Sequence, residues 1–499
     1  MHQFDILHVI SDLHLGGIKN TDKNFQVFNQ GKRLGNFIDK LALEAPTKQL
    51  ALVLNGDIVD FLAENNACYL DTTNAIGKLE RICDDISFAM VFAALTDFIQ
   101  KPNRTLVILL GNHDVELAFP NVKNWFINKL TNNDEQAKGR IIYATDGAGF
   151  ACSVKGKRVL CVHGNEGDEW NVVDYFQLQK ANRQINWGHY PELWQANAGT
   201  QMVIDVMNDI KKDFPMVDLL KPEKMAAIPV VLALAPEKLN QIGKVLRLFG
   251  GAQWDNLKMR WGFLSAQESD QQQETLIRQE HTKLSELLNE TFDFNQQESV
   301  ASLLQQANQR IKNNEPANDP SKEQETLLGA FDGALRLLGK WLSNEKPITT
   351  LRKSLIRFMK KDNSFSLTGK DEVFDQLDPQ VSADIDYLIV GHTHLARVMP
   401  RSQGSGYYYN SGTWIRLIEL DDHTLKTDES FKPAFDAFMA GSLDALDAIQ
   451  NLGKDKNIPL VKTGSFYAVT VKTFDGQTQA QLSRVKPTGI YVEHDKTRH

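Results

Sequence analysis

Seven side chains able to hold a divalent cation recur along this chain in five short motifs. They are Asp12 and His14 in Ser11-Asp12-Leu13-His14, Asp57 in Asn55-Gly56-Asp57, Asn112 in Gly111-Asn112-His113-Asp114, His163 in Val162-His163-Gly164, and His392 and His394 in Gly391-His392-Thr393-His394. Oxygen donors mixed with imidazoles suit a pair of divalent cations, and such a pair can activate water against a phosphate ester. Two cations ~3.5–4 Å apart can share one water and lower its pKa toward ~7, which would supply a bridging hydroxide at neutral pH. They also bind phosphoryl oxygens and offset charge during in-line displacement. The leaving alkoxide still needs a proton or a positive neighbour.

Each motif sits at the end of an apolar run that reads as a strand. Phe4 to Ile10, Leu50 to Leu54 and Thr105 to Leu110 are short and rich in Val, Ile and Leu, as buried strands are. Segments of helical period lie between them, with Phe28, Leu34, Phe37, Ile38 and Leu41 in one and Ile86, Met90, Ala93, Ala94 and Phe98 in the other. This β-α-β alternation implies a sheet whose strand ends meet at one edge, where ligands usually bind. Asp12 and His14 stand two apart on a chain leaving a strand, so in extended geometry both point the same way, and the same spacing holds for His392 and His394. Gly56 allows a close backbone approach beside Asp57.

Shorter strands follow at Ile141 to Tyr143, Phe150 to Val154 and Arg158 to Val162, and the texture then changes. From about Asp168 to Asp384 helical patterns dominate, notably Lys238 to Gly250, Glu274 to Leu303 and Thr326 to Met359, with a polar break at Asn313 to Pro320. Strands return at Tyr387 to Val390, Tyr407 to Tyr409, Trp414 to Leu420 and Ser465 to Val471, with a helical interlude near Phe435 to Leu452. The expected organisation is a core formed by residues 1–167 and 384–499, interrupted by a helical insertion over 168–383 that serves as a cap, substrate or partner region. The acidic loop Gly164 to Asn171 opens that insertion; Asp168 and Glu169 read as residues favourable to a helix N-terminus, or as a lip over the site. Arg352, Lys353, Arg357, Lys360 and Lys361 surround Leu355, Ile356, Phe358 and Met359, a basic amphipathic pattern that more often marks a solvated helix with its apolar side in the core but leaves peripheral contact with anionic lipid or a phosphate backbone open.

Composition narrows the class. With 499 residues, 42% hydrophobic and 24% charged, the chain has material for one large domain with insertions or for two domains. A net charge of -8 gives no overall attraction to nucleic acid or membrane. Nucleic acid stays open as a partner but is disfavoured. Cys68, Cys83, Cys152 and Cys161 form no CxxC pair, so buried free thiols in a reducing compartment are expected. Cleavage after a signal peptide would remove Asp12 and His14, and no window offers the ~20 apolar residues of a membrane-spanning helix. A cytoplasmic protein is expected. Oligomeric state is not readable.

The five motifs, in this order, resemble the calcineurin-like metallophosphoesterase superfamily over roughly Met1 to Gly167 and Asp384 to Lys472. Singly, each motif residue would read as a capping aspartate or a satisfied core histidine. Five of the twelve histidines fall inside motifs in family order, and that defeats the ordinary reading jointly. The resemblance implies an α/β fold, a two-sheet β-sandwich core flanked by helices, here with a large helical insertion. It implies that Asp57 bridges two cations, with Asp12, His14 and His394 completing one site and Asn112, His163 and His392 the other. It leaves His113 outside the ligands, as candidate proton donor, with Asp60 as the carboxylate that orients it. Asp114 could serve similarly or cap the following helix. The donor set contains no thiolate; Mn²⁺ is favoured, with Fe²⁺, Zn²⁺, Co²⁺ and Mg²⁺ open.

The implied activity is hydrolysis of a phosphodiester or pyrophosphate bond in a phosphorylated substrate of unknown class. The chain is similar in part to UDP-2,3-diacylglucosamine pyrophosphatases but has His113 where those usually carry Arg. It also looks like the DNA-repair nucleases of the superfamily in Asp12-x-His14-Leu15-Gly16. A DNA or RNA nuclease is one alternative; a non-catalytic metal-binding scaffold that uses the helical insertion is another.

Overall fold

The computed structural model describes residues 1–19, 25–168, 170–191, 194–220, 346–359, 365–418, 424–451, 458–459 and 466–499. Two compact units are present: Met1–Asn208 with Asn363–Ile418 and Val461–His499, and Asp209–Asp362 with Glu419–Leu460. The strands in chain order are β1 (His2–Phe4), β2 (Ile6–Ile10), β3 (Leu50–Asn55), β4 (Arg104–Leu109), β5 (Ile141–Ala144), β6 (Phe150–Val154), β7 (Lys157–Cys161), β8 (Tyr387–Val390), β9 (Arg397–Pro400), β10 (Tyr407–Asn410), β11 (Gln450–Asn451), β12 (Ile458–Pro459), β13 (Tyr467–Phe474), β14 (Gln477–Val485) and β15 (Tyr491–Arg498). β11 and β12 form a short antiparallel pair in the second unit. The others build two sheets in the first unit, in the orders β1-β6-β7-β8-β10-β9 and β15-β14-β13-β2-β3-β4-β5.

The two sheets face each other across one apolar core. Leu7 and Val9 of β2, Ala51 and Val53 of β3, and Val107 and Leu109 of β4 meet Cys152, Val159, Cys161, Ile389 and Tyr409 from the opposing sheet. The alternate residues Leu52, Leu106 and Ile108 are fully buried too. Strands β2 to β5 run parallel, and parallel strands covered on both faces read as continuous apolar runs. The crossovers are helical: α1 (Gly31–Leu43) between β2 and β3, and α2 (Ala75–Asp84) and α3 (Ala89–Gln100) between β3 and β4. This is the two-sheet α/β sandwich implied by the motifs.

Several elements differ from the sequence reading. The run Phe4 to Ile10 is two strands: β1 pairs with β6 in one sheet, and β2 lies between β13 and β3 in the other. The break falls at Asp5, where the backbone N–H groups of Asp5 and Ile6 both donate to Gln49 O. Phe4, the buried end of β1, runs on into the apolar β2 with only Asp5 between, so hydrophobicity hides the switch. In α3 the buried face is Val91, Phe92, Ala94, Leu95, Phe98 and Ile99, while Ile86 is 91% and Met90 48% exposed. A helix this apolar offers more than one stripe to a periodicity argument. Trp414 to Leu420 is not a strand over its described residues; single bridge residues form at Ile415, paired with Phe28, and at Ile418. Its backbone is used elsewhere, Trp414 N donating to Asp12 O and Arg416 N to Val27 O.

In the region expected to be helical, the described residues include helices at Tyr175–Asn186, Pro347–Met359 and Glu372–Leu377. The patterns at Lys238 to Gly250 and Glu274 to Leu303, the break at Asn313 to Pro320 and most of Thr326 to Met359 lie outside the described residues. On helix Pro347–Met359, Leu351 and Leu355 are buried. Arg352 is not displayed for a partner: its Nε donates to Asp428 at 2.6 Å and a terminal nitrogen to Leu425 O at 2.9 Å. Lys360 and Lys361 lie outside the described residues. All four cysteines are free thiols, but Cys68 is exposed, unlike the buried Cys83, Cys152 and Cys161. Among the described residues no helix is long and apolar enough to cross a membrane.

Ile389 lies in the sandwich interior on the strand that leads to His392 and His394. We expect Ile389→Ala to destabilise the first unit by about 2–5 kcal/mol, the usual cost of such a core truncation. A lowered urea midpoint at unchanged cooperativity would register it, and an unchanged midpoint would contradict the packing described.

Candidate metal centre

Strands β2, β3 and β4 end in register, Ile10 opposite Leu54 and Asn55 opposite Leu109. The loops that follow carry Asp12 and His14, Asp57, and Asn112 and His113. In the other sheet β7 and β8 end together, Cys161 opposite Ile389, and lead into His163 and into His392 and His394. The first two loops are bonded to each other along their backbones. Asp12 N donates to Gly56 O at 3.1 Å, and Leu13 N and His14 N both donate to Asp57 O at 2.9 Å.

The extended geometry expected for the two-apart pairs is not what brings them together. Asp12, His14, Asp57, His392 and His394 all adopt left-handed backbone, with φ of 54°, 46°, 51°, 69° and 63°. For non-glycine residues that conformation costs about 1–2 kcal/mol each, and it persists where surrounding contacts over-determine it. Here the loop-to-loop hydrogen bonds impose it, turning each side chain sharply off its strand axis. Glycines clear the space: a Cβ at Gly111 would strike the Asp57 carboxylate, and one at Gly56 the His163 ring.

Six of the seven sequence-predicted donors converge. Asp12, His14 and His394 can bring one donor atom each within 4.8 Å of one another, and so can Asp57, His163 and His392. His14 Nε2 and His394 Nε2 face each other at 3.0 Å. His394 Nε2 lies 3.4 Å from Asp12 Oδ1, and Asp57 Oδ2 lies 3.6 Å from His14 Nε2 and 3.3 Å from His163 Nε2. Asp57 thus lies beside His14 as well as His163, and His14, Asp57 and His113 form a third such group. Asn112 Oδ1, His163 Nε2 and His392 Nδ1 are buried atoms with no hydrogen-bond partner. Buried polar atoms are seldom left so. These three are the donors assigned above, with Asp57, to a single cation, so the side chains fit a divalent ion of the kind the motifs imply.

The other ring nitrogens are held by acceptors, which decides the atom each histidine presents. His163 Nδ1–H donates to Asn55 O at 2.8 Å. Asp60 contacts two rings: His113 Nδ1 at 3.2 Å from Oδ1, and His14 Nδ1 at 3.4 Å from Oδ2. Asp60 therefore lies against His113, and its contact with His14 had no signal in the sequence. Asp60 also accepts from Leu62 N and Ala63 N, both at 3.0 Å. Asp114 neither meets His113 nor caps the next turn. Its carboxylate accepts from Gly111 N at 2.6 Å and Ile58 N at 2.7 Å, tying the loops after β3 and β4. Asp168 does not serve a helix N-terminus either, because its Oδ2 meets His392 Nε2 at 3.0 Å. Glu169 lies outside the described residues.

The segment after β10 was missed altogether. Asn410 Nδ2 donates to Gly391 O at 2.7 Å, Ser411 Oγ meets Ser11 Oγ at 2.7 Å, and Thr413 Oγ1 donates to Asp12 O at 2.7 Å. Its only sequence signal is a polar Asn-Ser-Gly-Thr stretch closing an apolar run, a pattern shared with ordinary turns.

Charge in this pocket is tightly balanced. Burial pushes the Asp12 carboxyl upward, helped by Asp57 and opposed by His163. Burial also works against Asp57, but His163 and His113 outweigh it and draw Asp57 well below the ordinary carboxylate range. Burial disfavours a charged His163, yet Asp57 and Asp12 carry its pKa up to about 10. Burial likewise opposes charge on His14, and Asp60 and Asp57 raise it above the usual imidazole value. Imidazole protons are the counter-charge to the buried carboxylates, and a divalent cation would take over that role and release them.

Residues 7–226 match the profile of a family described as calcineurin-like phosphoesterase. That is the superfamily the motifs resemble, and the match covers Asp12 through His163 while His392 and His394 lie beyond it. No curated protein and no solved structure matches the chain. The family is generally hydrolytic and typically binds divalent metals. Together with the clustered histidines and aspartates, the match points to a metal-dependent phosphoesterase.

A cation bound by these donors should stabilise the fold by mass action, by about 2.7 kcal/mol at a hundred times its dissociation constant. We expect the melting temperature to rise with added Mn²⁺ and fall with chelator in scanning fluorimetry. No shift with any divalent ion would count against a metal centre.

Proposed function

We propose that the protein is a binuclear metal-dependent phosphoesterase that hydrolyses a phosphodiester or pyrophosphate bond. The observation that supports this best is the convergence of Asp12, His14, Asp57, His163, His392 and His394 from both sheets, with Asn112 Oδ1 and His392 Nδ1 buried and without a hydrogen-bond partner. Asp12, His14 and His394 would hold one ion and Asn112, His163 and His392 the other, with Asp57 shared. Two such ions, when bound, activate water and offset phosphoryl charge. The hard-oxygen and imidazole donor set suits Mn²⁺ best.

The chain's own groups supply the rest. The backbone N–H of His113 donates to Asp57 Oδ1 at 2.9 Å, which leaves Oδ2 directed at His14 and His163. The His113 side chain is 17% exposed beside this pocket, so it is the member of the group a substrate can reach. A carboxylate can only accept, so Asp60 keeps the His113 proton on Nδ1 and assigns proton exchange with substrate to Nε2. In that position His113 donates a proton to the leaving oxygen.

We expect Asp57→Asn to abolish hydrolysis of bis-p-nitrophenyl phosphate in Mn²⁺ and to lower metal content. His113→Ala should cut kcat by about 10²–10⁴-fold, the usual worth of a positioned acid, with metal content unchanged. Loss of metal in His113→Ala would make it a ligand. A wild-type protein that is fully metallated but turns over no phosphodiester or pyrophosphate substrate would favour a binding scaffold instead.

A further inference from the structure

We propose that Asp168 is a positioning residue that fixes His392 in the one tautomer able to present Nδ1 to a cation. The inference rests on reading these donors as a metal centre. Asp168 is 5% exposed and sits five residues after His163, on the loop Gly164 to Asn171. Its Oδ2 lies 3.0 Å from His392 Nε2. An ionised carboxylate has no proton to give, so the ring nitrogen is the donor and the proton resides on Nε2. Nδ1 then carries the lone pair, and it is a buried nitrogen without a hydrogen-bond partner. Of the two nitrogens of His392, the one held by Asp168 is thereby removed from ligation.

The same carboxylate reaches a second donor through Asn171. Asp168 Oδ2 also accepts from Asn171 Nδ2 at 2.9 Å, which orients that amide and leaves its oxygen facing Asn112. Asn171 Oδ1 then accepts from Asn112 Nδ2 at 3.4 Å, a long contact, and Asn112 Oδ1 is left as the unpartnered buried atom. An amide can present either end, and this chain of contacts selects the oxygen, the only end that can bind a cation.

Asp168 is itself held rigidly. Its Oδ1 accepts from Trp170 N at 3.0 Å, Trp170 O accepts from Gly199 N at 2.8 Å, and Asn165 Nδ2 donates to Asn171 O at 3.1 Å. A Cβ at Gly199 would collide with the Asn171 side chain, so the loop packs where only glycine fits. An acceptor with both oxygens committed to fixed donors gives His392 a single orientation. Outer partners of metal-bound histidines commonly work this way, and their loss typically costs about 10–100-fold in metal affinity.

The test uses the full-length protein, stripped by chelator and titrated with Mn²⁺ in a calorimeter, wild type against Asp168→Asn. The isosteric amide cannot accept from both Trp170 N and His392 Nε2. We expect two binding steps in the wild type, with one weakened about 10–100-fold in Asp168→Asn and the other unchanged. A merely structural role would lower the melting temperature and weaken both steps alike, and that result, or wild-type affinity at both, overturns the proposal. Should Asp168→Asn fail to fold, ¹⁵N histidine spectra of the stripped wild type in alkaline buffer decide the matter. The His392 signal, assigned by its loss in His392→Gln, should report the proton on Nε2, and a proton on Nδ1 refutes the role of Asp168. A wild type that binds no Mn²⁺ defeats the metal-centre reading, and the ¹⁵N result still judges Asp168 separately.

Discussion

Asp12 and Asp57 are carboxylates removed from solvent and placed among histidines at the shared edge of two sheets. Burying negative charge in this way is costly unless positive charge comes with it. That requirement organises the site. His163 and His14 are held toward the charged form by the carboxylates, and Asp57 is held ionised by His163 and His113 in turn. The arrangement suits exchange of imidazole protons for divalent cations, because each ring offers a nitrogen inward while an acceptor fixes the other side of at least three of them.

The sandwich exists to make that edge. Parallel strands β2, β3 and β4 bring three loops to one line, and β7 and β8 bring two more from the opposing sheet. No single loop carries enough donors for a cation pair. The loops reach their positions by left-handed turns at five of the seven donor residues, and inter-loop backbone hydrogen bonds keep them there. The functional edge therefore carries local strain at five donor residues, with the packed apolar core beneath to hold it.

The donors were legible in the sequence because their chemistry is unusual and each follows a recognisable apolar run. Most strands were legible for the same reason: Leu50–Asn55 and Tyr387–Val390 are all buried, so composition alone marks them. What escaped has physical causes. The switch at Asp5 leaves little hydrophobic signature, since buried Phe4 ends β1 one residue before the apolar β2, and the two strands enter different sheets. The second strand of the β13–β14 hairpin buries Ala480 and Leu482 among polar residues, a weak alternation next to its neighbours. Trp414 to Leu420 reads as a strand by composition, but the backbone N–H groups of Trp414 and Arg416 donate to Asp12 O and Val27 O. Contacts that set tautomers, such as Asp60 with His14 and Asp168 with His392, depend on three-dimensional approach alone. An aspartate in a loop carries no mark of which ring it will meet.

We propose that two divalent cations share the edge between the sheets. Anomalous diffraction at the manganese edge from crystals grown with Mn²⁺ tests it most directly. Two peaks ~3.5–4 Å apart are expected, one against Asp12, His14 and His394, the other against Asn112, His163 and His392, with Asp57 between them. A single peak, or peaks away from these side chains at full metal loading, would contradict it.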